Sequence, residues 1–428
     1  MRKTLINEQE QRLKDWLKKI ESYHPNEIEL GLERVQKIAS SMDLLSPNAK
    51  VIIVGGTNGK GSCVAMLESL AINSDITVGS YTSPHLLEFN ERIRINGRNV
   101  SDIALIDAFD EIEKYRQDTA LTFFEFTTLA ALYVFSKIKL DLIVLEIGLG
   151  GRLDAVNIVD RDISIITTID IDHTDWLGDS LQEIAIEKSG IYRDTSLNLV
   201  GDQISADLLQ KSNDLKSKSI QLVEKNLLIK CYGNNYSKLI QDSKTNQFNL
   251  LKQNVELALT SFQHLFKKHS QTIDFKHCLS SIKISGRFQQ VNNEPLVILD
   301  VAHNTQAAKN LVKQISTTSC NGKRVAICGL MSDKAIKEYL SVLGEVIDEW
   351  FFIGLPIDRA AKPDDLLMLF KKLASNTTLK SSQNIRQALD ILTNTLNVND
   401  QVYILGYFIT VSEFLKQNFN CHTLLMNS

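Results

Sequence analysis

From Val51 to Ser62 the chain reads V-I-I-V-G-G-T-N-G-K-G-S, an apolar run that enters a glycine-rich turn and closes on a lysine and a serine. These residue types suit the binding of a nucleotide triphosphate. Glycines let successive backbone N–H groups turn toward phosphate oxygens, and Lys60 can bridge the outer phosphates. Residues 63–72 read as a helix whose positive N-terminus faces the anion. The match to the phosphate-loop pattern G-x-x-x-x-G-K-[ST] is imperfect: Val54 stands where the first glycine is expected, and Gly61 separates Lys60 from Ser62. On its own a glycine turn with a lysine is often only a turn. The strand before it and the helix after it favour the phosphate.

Further polar residues sit where apolar runs end. Glu146 lies inside L-I-V-L-E-I-G-L-G-G-R, where a carboxylate is costly unless paired or metal-bound. Metal ligation is the better reading, because a bound phosphate calls for Mg²⁺ nearby; an ion pair with Arg152 is the alternative. The run I-D-I-D-H-T-D-W-L-G puts Asp170, Asp172, His173 and Asp175 together, which suits a divalent cation or a transferring phosphoryl group; capping aspartates beside a buried histidine are the alternative. Ser83, in T-S-P-H, reads as a turn, and Lys188, in A-I-E-K-S-G-I, reads by itself as a surface helix lysine. Further along, D-V-A-H-N-T supplies Asp300, His303 and Asn304 after another apolar run, with Arg287 preceding it in S-G-R-F. The arginine fork suits phosphate.

The elements that must position these groups alternate short β-branched runs with amphipathic stretches, the pattern of a parallel sheet wrapped by helices. Strands are expected at 51–55, 141–148, 162–169, 296–300, 324–329, 349–353 and 402–406, and helices at 306–315 and 335–343. Open parallel sheets gather ligands at the carboxyl ends of their strands, so polar residues there carry extra weight. Between 196 and 247 Lys, Asn, Ser and Gln accumulate, and N-L-L-I-K-C-Y-G-N-N-Y reads as a hairpin-bearing excursion closing a first domain. A boundary is expected near 290, in Q-Q-V-N-N-E.

At 428 residues the chain exceeds one hydrophobic core. With 43% hydrophobic and 23% charged residues it is an ordinary globular chain. A net charge of −4 argues against nucleic-acid and acidic-membrane partners. The six cysteines are scattered without C-x-x-C, so neither a zinc site nor a disulfide framework is indicated. There is no apolar N-terminal leader region or bilayer-length run. A reduced cytoplasmic setting is expected.

In order along the chain, G-T-N-G-K-G-S, T-S-P-H-L, N-E-R-I-R-I-N-G, F-F-E-F-T-T, E-I-G-L-G-G-R-L-D-A, D-H-T-D-W-L-G, I-A-I-E-K-S-G-I, S-G-R-F and L-D-V-A-H-N resemble the motifs of the folylpolyglutamate synthases, relatives of the Mur ligases. The forms G-G-R-L-D-A and D-H-T-D-W-L-G resemble those of the bacterial members that are also dihydrofolate synthases. The resemblance implies an α/β protein: an N-terminal P-loop ATPase domain with a parallel sheet flanked by helices, residues 1–289, and a smaller C-terminal Rossmann-like α/β domain, residues 290–428.

It further implies that Thr57, Asn58, Gly59, Lys60, Gly61 and Ser62 hold ATP, joined by Asn254, Arg287 and Asp300. Thr122, Phe123, Phe124, Glu125, Leu153, Asp154 and Ala155 would bind the pterin. Ser83 and Glu146 would bind one Mg²⁺ and His173 would help bind a second, with Lys188 carbamylated into a metal ligand and Lys60, His173 and Lys188 serving catalysis. The implied partners are ATP, dihydropteroate, folates and L-glutamate, acted on by a monomer. Three departures stand out: Val156 replaces a usual Thr, Thr305 a usual Pro, and Ile409 a usual His. A folylpolyglutamate-only enzyme, a Mur-type ligase acting on a UDP-linked substrate, and a nucleotide-dependent switch remain alternatives at this stage.

Overall fold

The structure, a computed structural model, describes residues 2–417 apart from 27, 211–219, 224, 234–235, 239, 241–251, 270–272, 283, 333 and 374–376. It comprises two compact units, Met1–Lys283 and Ile284–Ser428. The boundary read at 289/290 lies a few residues further on, where the polar segment Q-Q-V-N-N forms the first strand of the second unit.

In the first unit, strands β1 (Lys50–Gly55), β2 (Val78–Tyr81), β3 (Ile93–Ile95), β4 (Arg98–Asn99), β5 (Leu142–Glu146), β6 (Ile163–Ile166), β7 (Leu197–Val200) and β8 (Ile220–Leu222) form one sheet in the order β4-β3-β2-β5-β1-β6-β7-β8. All neighbours are parallel except β2–β3 and β3–β4. The central strands are continuous apolar runs because helices cover both faces, and every residue of β5 and β6 is buried.

β1 lies between β5 and β6, with Val54 opposite Glu146 and Gly55 opposite Ile166. Three carboxyl ends therefore meet side by side, at the position where such sheets bind ligands. The helix Lys60–Ile72 is buried from Cys63 to Ala71 and packs against the helix Lys252–Leu265. The helix Phe123–Ser136 is capped by Thr122, whose side chain accepts from the Glu125 N–H while the Glu125 carboxylate accepts from the Thr122 N–H.

The expected hairpin near 226–236 is instead the helix Lys225–Tyr232, with residues 234–235 outside those described. Leu228 and Tyr232 are spaced i, i+4 and both buried, so the helical period wins over strand propensity. Tyr232 meets Phe275 with ring centroids 5.3 Å apart.

In the second unit, β9 (Gln289–Asn293), β10 (Leu296–Asp300), β11 (Arg324–Gly329), β12 (Glu349–Ile353), β13 (Thr378–Ser382) and β14 (Gln401–Gly406) form a sheet in the order β13-β12-β11-β14-β10-β9. Only β9 is antiparallel to its neighbour. Trp350 stacks on Phe352 at 5.5 Å and touches Phe370 in the core.

Candidate active site

The turn after β1 is held by the end of β6. Thr57 N–H donates to the Thr168 carbonyl at 2.8 Å, Asn58 N–H donates to Thr168 Oγ1 at 3.0 Å, and Thr167 Oγ1 donates to the Asn58 carbonyl at 2.7 Å. Gly59 adopts φ +88°, which starts the helix at Lys60 rather than at Cys63, where the sequence suggested it would begin. A Cβ on Gly59 would stand 2.7 Å from Asn254 Nδ2. Asn254 is 0% exposed, and neither its Nδ2 nor its Oδ1 has a hydrogen-bond partner, so a buried amide faces the turn with its capacity unspent. Lys60 Nζ donates back to the Gly56 and Thr57 carbonyls at 3.1 and 3.4 Å.

Glu146, at the end of β5, is buried and accepts from the Ser83 N–H at 3.4 Å. A Cβ on Gly61 would lie 3.7 Å from its Oε2. Arg152 pairs with Glu187 at 2.6 Å, so the ion-pair alternative for Glu146 is not what forms. After β6, His173 takes φ +53° and opens the short helix Thr174–Leu177. Its N–H donates to the Asp172 carboxylate at 2.9 Å. Asp172 is buried, whereas Asp175 is exposed.

Lys188 overturns its surface reading: only 4% is exposed, on the last turn of the helix Leu181–Ser189. Burial lowers its amine pKa to about 7, and repulsion from Lys60 adds to this against attraction from Asp172 and Asp154. Lys60, Lys188, Asp172 and Asp154 thus share one electrostatic neighbourhood.

Asp154 is buried and accepts from the Leu149 and Val156 N–H groups at 2.8 and 2.9 Å. Burial raises its pKa to about 7 against those hydrogen bonds and Lys60. The Thr-to-Val departure at 156 leaves this contact intact, because the backbone makes it. Phe124 lies directly over Gly148, where a Cβ would stand 2.5 Å from the ring. Its neighbour Phe123 is half-buried. Leu153 and Ala155 flank Asp154, Ala155 being buried. Glu125, also buried, accepts from Thr122 Oγ1 at 3.0 Å and from Arg34 Nε at 2.8 Å.

In the second unit Asp300 ends β10 and accepts from the Phe288 and Ala302 N–H groups, each at 2.7 Å. Burial raises its pKa, against the nearby Arg287 charge. The Arg287 guanidinium lies 5.6 Å from the Phe408 ring centre, and His303 packs against Tyr407 at 5.5 Å. Asn304 caps the helix Thr305–Thr317 by accepting from the Ala307 N–H. Thr305 is its first residue, and Ile409 lies in the helix Phe408–Lys416.

Residues 286–408 match the family model described as Mur ligase, glutamate ligase domain. A dihydrofolate synthase/folylpolyglutamate synthase of Buchnera aphidicola subsp. Baizongia pistaciae is 38% identical over 410 residues, covering 94% of this chain and 95% of its own. The chain belongs to the dihydrofolate synthase/folylpolyglutamate synthase family. The structure of E. coli FolC in complex with DHPP and ADP superposes with a TM-score of 0.81 at 32% identity, covering 95% of this chain and 97% of its own. The bifunctional folylpolyglutamate synthase/dihydrofolate synthase of Yersinia pestis, complexed with AMPPNP and Mn ion, gives 0.80 at 33%, covering 95% and 98%.

For this dihydrofolate synthase/folylpolyglutamate synthase family member, Thr57–Ser62, Ser83, Thr122–Glu125, Glu146, Leu153–Ala155, His173, Lys188 and Asn254 belong to the first unit, and Arg287 and Asp300 to the second. Residue-by-residue reading missed Thr167 and Thr168, which hold the glycine turn after β1. The signal was available, as two hydroxyls directly following an apolar strand. It also passed over Arg34, which clamps Glu125.

Proposed function

We propose that this chain is an ATP-dependent carboxylate–amine ligase that adds L-glutamate to dihydropteroate, giving dihydrofolate, and to folylpolyglutamates. The observation that carries the reading is the buried Lys188, its amine pKa lowered to about 7 beside Lys60, Asp172 and Asp154. Burial disfavours an ammonium there against the pull of Asp172 and Asp154, and a neutral amine can react with CO₂. Its nitrogen lone pair forms an N–C bond to CO₂ and one proton leaves, so that the side chain ends in a carbamate.

The donors suit a hard cation. Mg²⁺ takes one or two carboxylates and completes its shell with phosphate and water. Glu146 and Ser83 would hold one ion, and His173 with the Lys188 carbamate a second. Bound there, Mg²⁺ would neutralise charge on the phosphate oxygens.

The turn at 56–62 cradles the triphosphate with its N–H groups, Asn254 offers its unspent amide to the nucleotide, and Arg287 and Asp300 contribute to ATP binding. Phe123, Phe124, Asp154 and Glu125 frame a site suited to a flat, hydrogen-bonding heterocycle. An oxygen of the substrate carboxylate attacks the γ-phosphorus and ADP leaves, giving an acyl phosphate. The glutamate amine then attacks the acyl carbon, and phosphate leaves as the nitrogen loses its proton. Lys60 offsets charge on the transferring group, and positioning supplies most of the rate.

No helix among the described residues is long and apolar enough to cross a membrane. Free Cys63, Cys231, Cys278, Cys320 and Cys328, together with ATP as co-substrate, support a cytoplasmic location. The test is glutamate-dependent ADP release, measured separately with dihydropteroate and with tetrahydrofolate. Release with both is expected. Release with tetrahydrofolate alone would remove the first activity, and release with neither would overturn the reading.

A further inference from the structure

The N-E-R-I-R-I-N-G segment contains two arginines with opposite circumstances. Arg94 pairs with the buried Glu68 at 2.9 Å and also reaches Ser80. Arg92, at 9% exposure, is the more buried, yet it forms no ion pair with any described carboxylate. Its guanidinium lies 5.4 Å from the Phe123 ring centre and 5.6 Å from that of Phe89. Its Nε donates to His85 Nδ1 at 2.8 Å, and the Tyr81 hydroxyl is its other polar neighbour. Glu146 and Glu91 act on it only through space, and burial lowers its pKa.

Buried charges are ordinarily paired, since desolvation costs several kcal/mol per ion. Two aromatic faces and a neutral imidazole do not cancel a full positive charge. The guanidinium fork is matched to a carboxylate. Its neighbours indicate which carboxylate. Phe123 adjoins Thr122 and Phe124 in the aromatic site, His85 lies two residues beyond Ser83, and Glu146 stands on the phosphate side.

We infer that Arg92 recognises the carboxylate of the pterin-bearing acid, holding it between the aromatic residues and the end of β5 so that one oxygen faces the phosphate to be transferred. This rests on the ligase reading above.

Calorimetric titration of the full chain with dihydropteroate and with its carboxamide analogue tests it, alongside thermal melts. Wild type should prefer the acid. Arg92→Gln should bind the acid about 10- to 100-fold more weakly, the loss expected for one charge-assisted contact, with the amide unchanged. Arg92→Lys keeps the charge without the fork, so it should fall between them for the acid alone, and it serves as the test should Arg92→Gln fail to fold. Parallel weakening of acid and amide, or undiminished acid binding in the variants, would overturn the inference. Wild type that binds neither compound would overturn the ligase reading and the inference with it.

Discussion

The amines of Lys188 and Lys60 lie within electrostatic reach of each other, one on the last turn of a helix and the other on the first turn of a different one, and the Lys60 charge disfavours a proton on Lys188. Lys60 lies against the carbonyls of its own turn, whereas Lys188 is desolvated and has its pKa lowered to about 7. Two lysines of the same formal charge are thereby given different surroundings, and burial is the largest cause of the shift at Lys188.

Lys188→Ala should lose at least about 10³-fold in kcat, on the scale of lost electrostatic stabilisation of a transferring group. Acetate or another short carboxylic acid in the buffer should restore part of it by standing in for the carbamate. Lys188→Arg keeps the charge without the carbamate and should stay inactive; a working Arg variant would end the carbamate proposal.

Lys60→Ala should abolish ligation with both dihydropteroate and folates while shifting stability by less than about 1 kcal/mol, because the side chain is only half-buried and bonds to carbonyls that can take water instead. Steady-state rates with each substrate, set against thermal melts, decide it. Wild-type-like turnover would remove the phosphate-turn assignment.

Asn254 holds two unpaired polar atoms out of water, a cost of about 1–3 kcal/mol. Asn254→Leu, similar in volume and apolar, should leave Tm unchanged or raise it while weakening ATP binding about tenfold or more. A fall in stability with nucleotide affinity intact would show the amide to be structural.

Asp154 carries a pKa raised by burial to about 7, against an ordinary 3.8, so the folded state keeps its proton longer than the unfolded chain does. The stabilising effect of that proton is complete below about pH 3.8 and lost as pH rises through about 7. Relative to Asp154→Asn, the wild type should therefore lose about 2 °C or more of Tm between pH 4 and pH 8. A difference between the two proteins that does not vary with pH would contradict the buried-acid description.

Much of the architecture is legible in the chain because it is encoded locally. β10, β11 and β12 begin and end where the apolar runs do, since a strand covered on both faces must be apolar along its length. The phosphate turn is equally local, since glycines, a lysine and the following helix are consecutive in sequence. Where two local signals competed, as in 225–232, the period of the buried residues decided for a helix. Family resemblance, carried by ordered motifs rather than by any one of them, extended the reading to the pterin and metal residues.

Tertiary structure decided the rest, because burial and pairing depend on what arrives from far along the chain. Nothing adjacent to Lys188 marks it as desolvated, and by itself A-I-E-K-S-G-I reads as surface. The partner of Arg152 is Glu187 rather than Glu146, Asn254 meets Gly59 from nearly two hundred residues away, and Arg34 reaches Glu125 past four strands that intervene in sequence. Most tellingly, Arg92 and Arg94 are two residues apart in one motif. Arg92 closes the short helical turn Phe89–Arg92 whereas Arg94 lies in β3, so that one meets Phe89, Phe123, His85 and the Tyr81 hydroxyl and the other finds Glu68. The sequence by itself determined the residue types and their order; the fold alone decided which of those charges would be left for a ligand to neutralise.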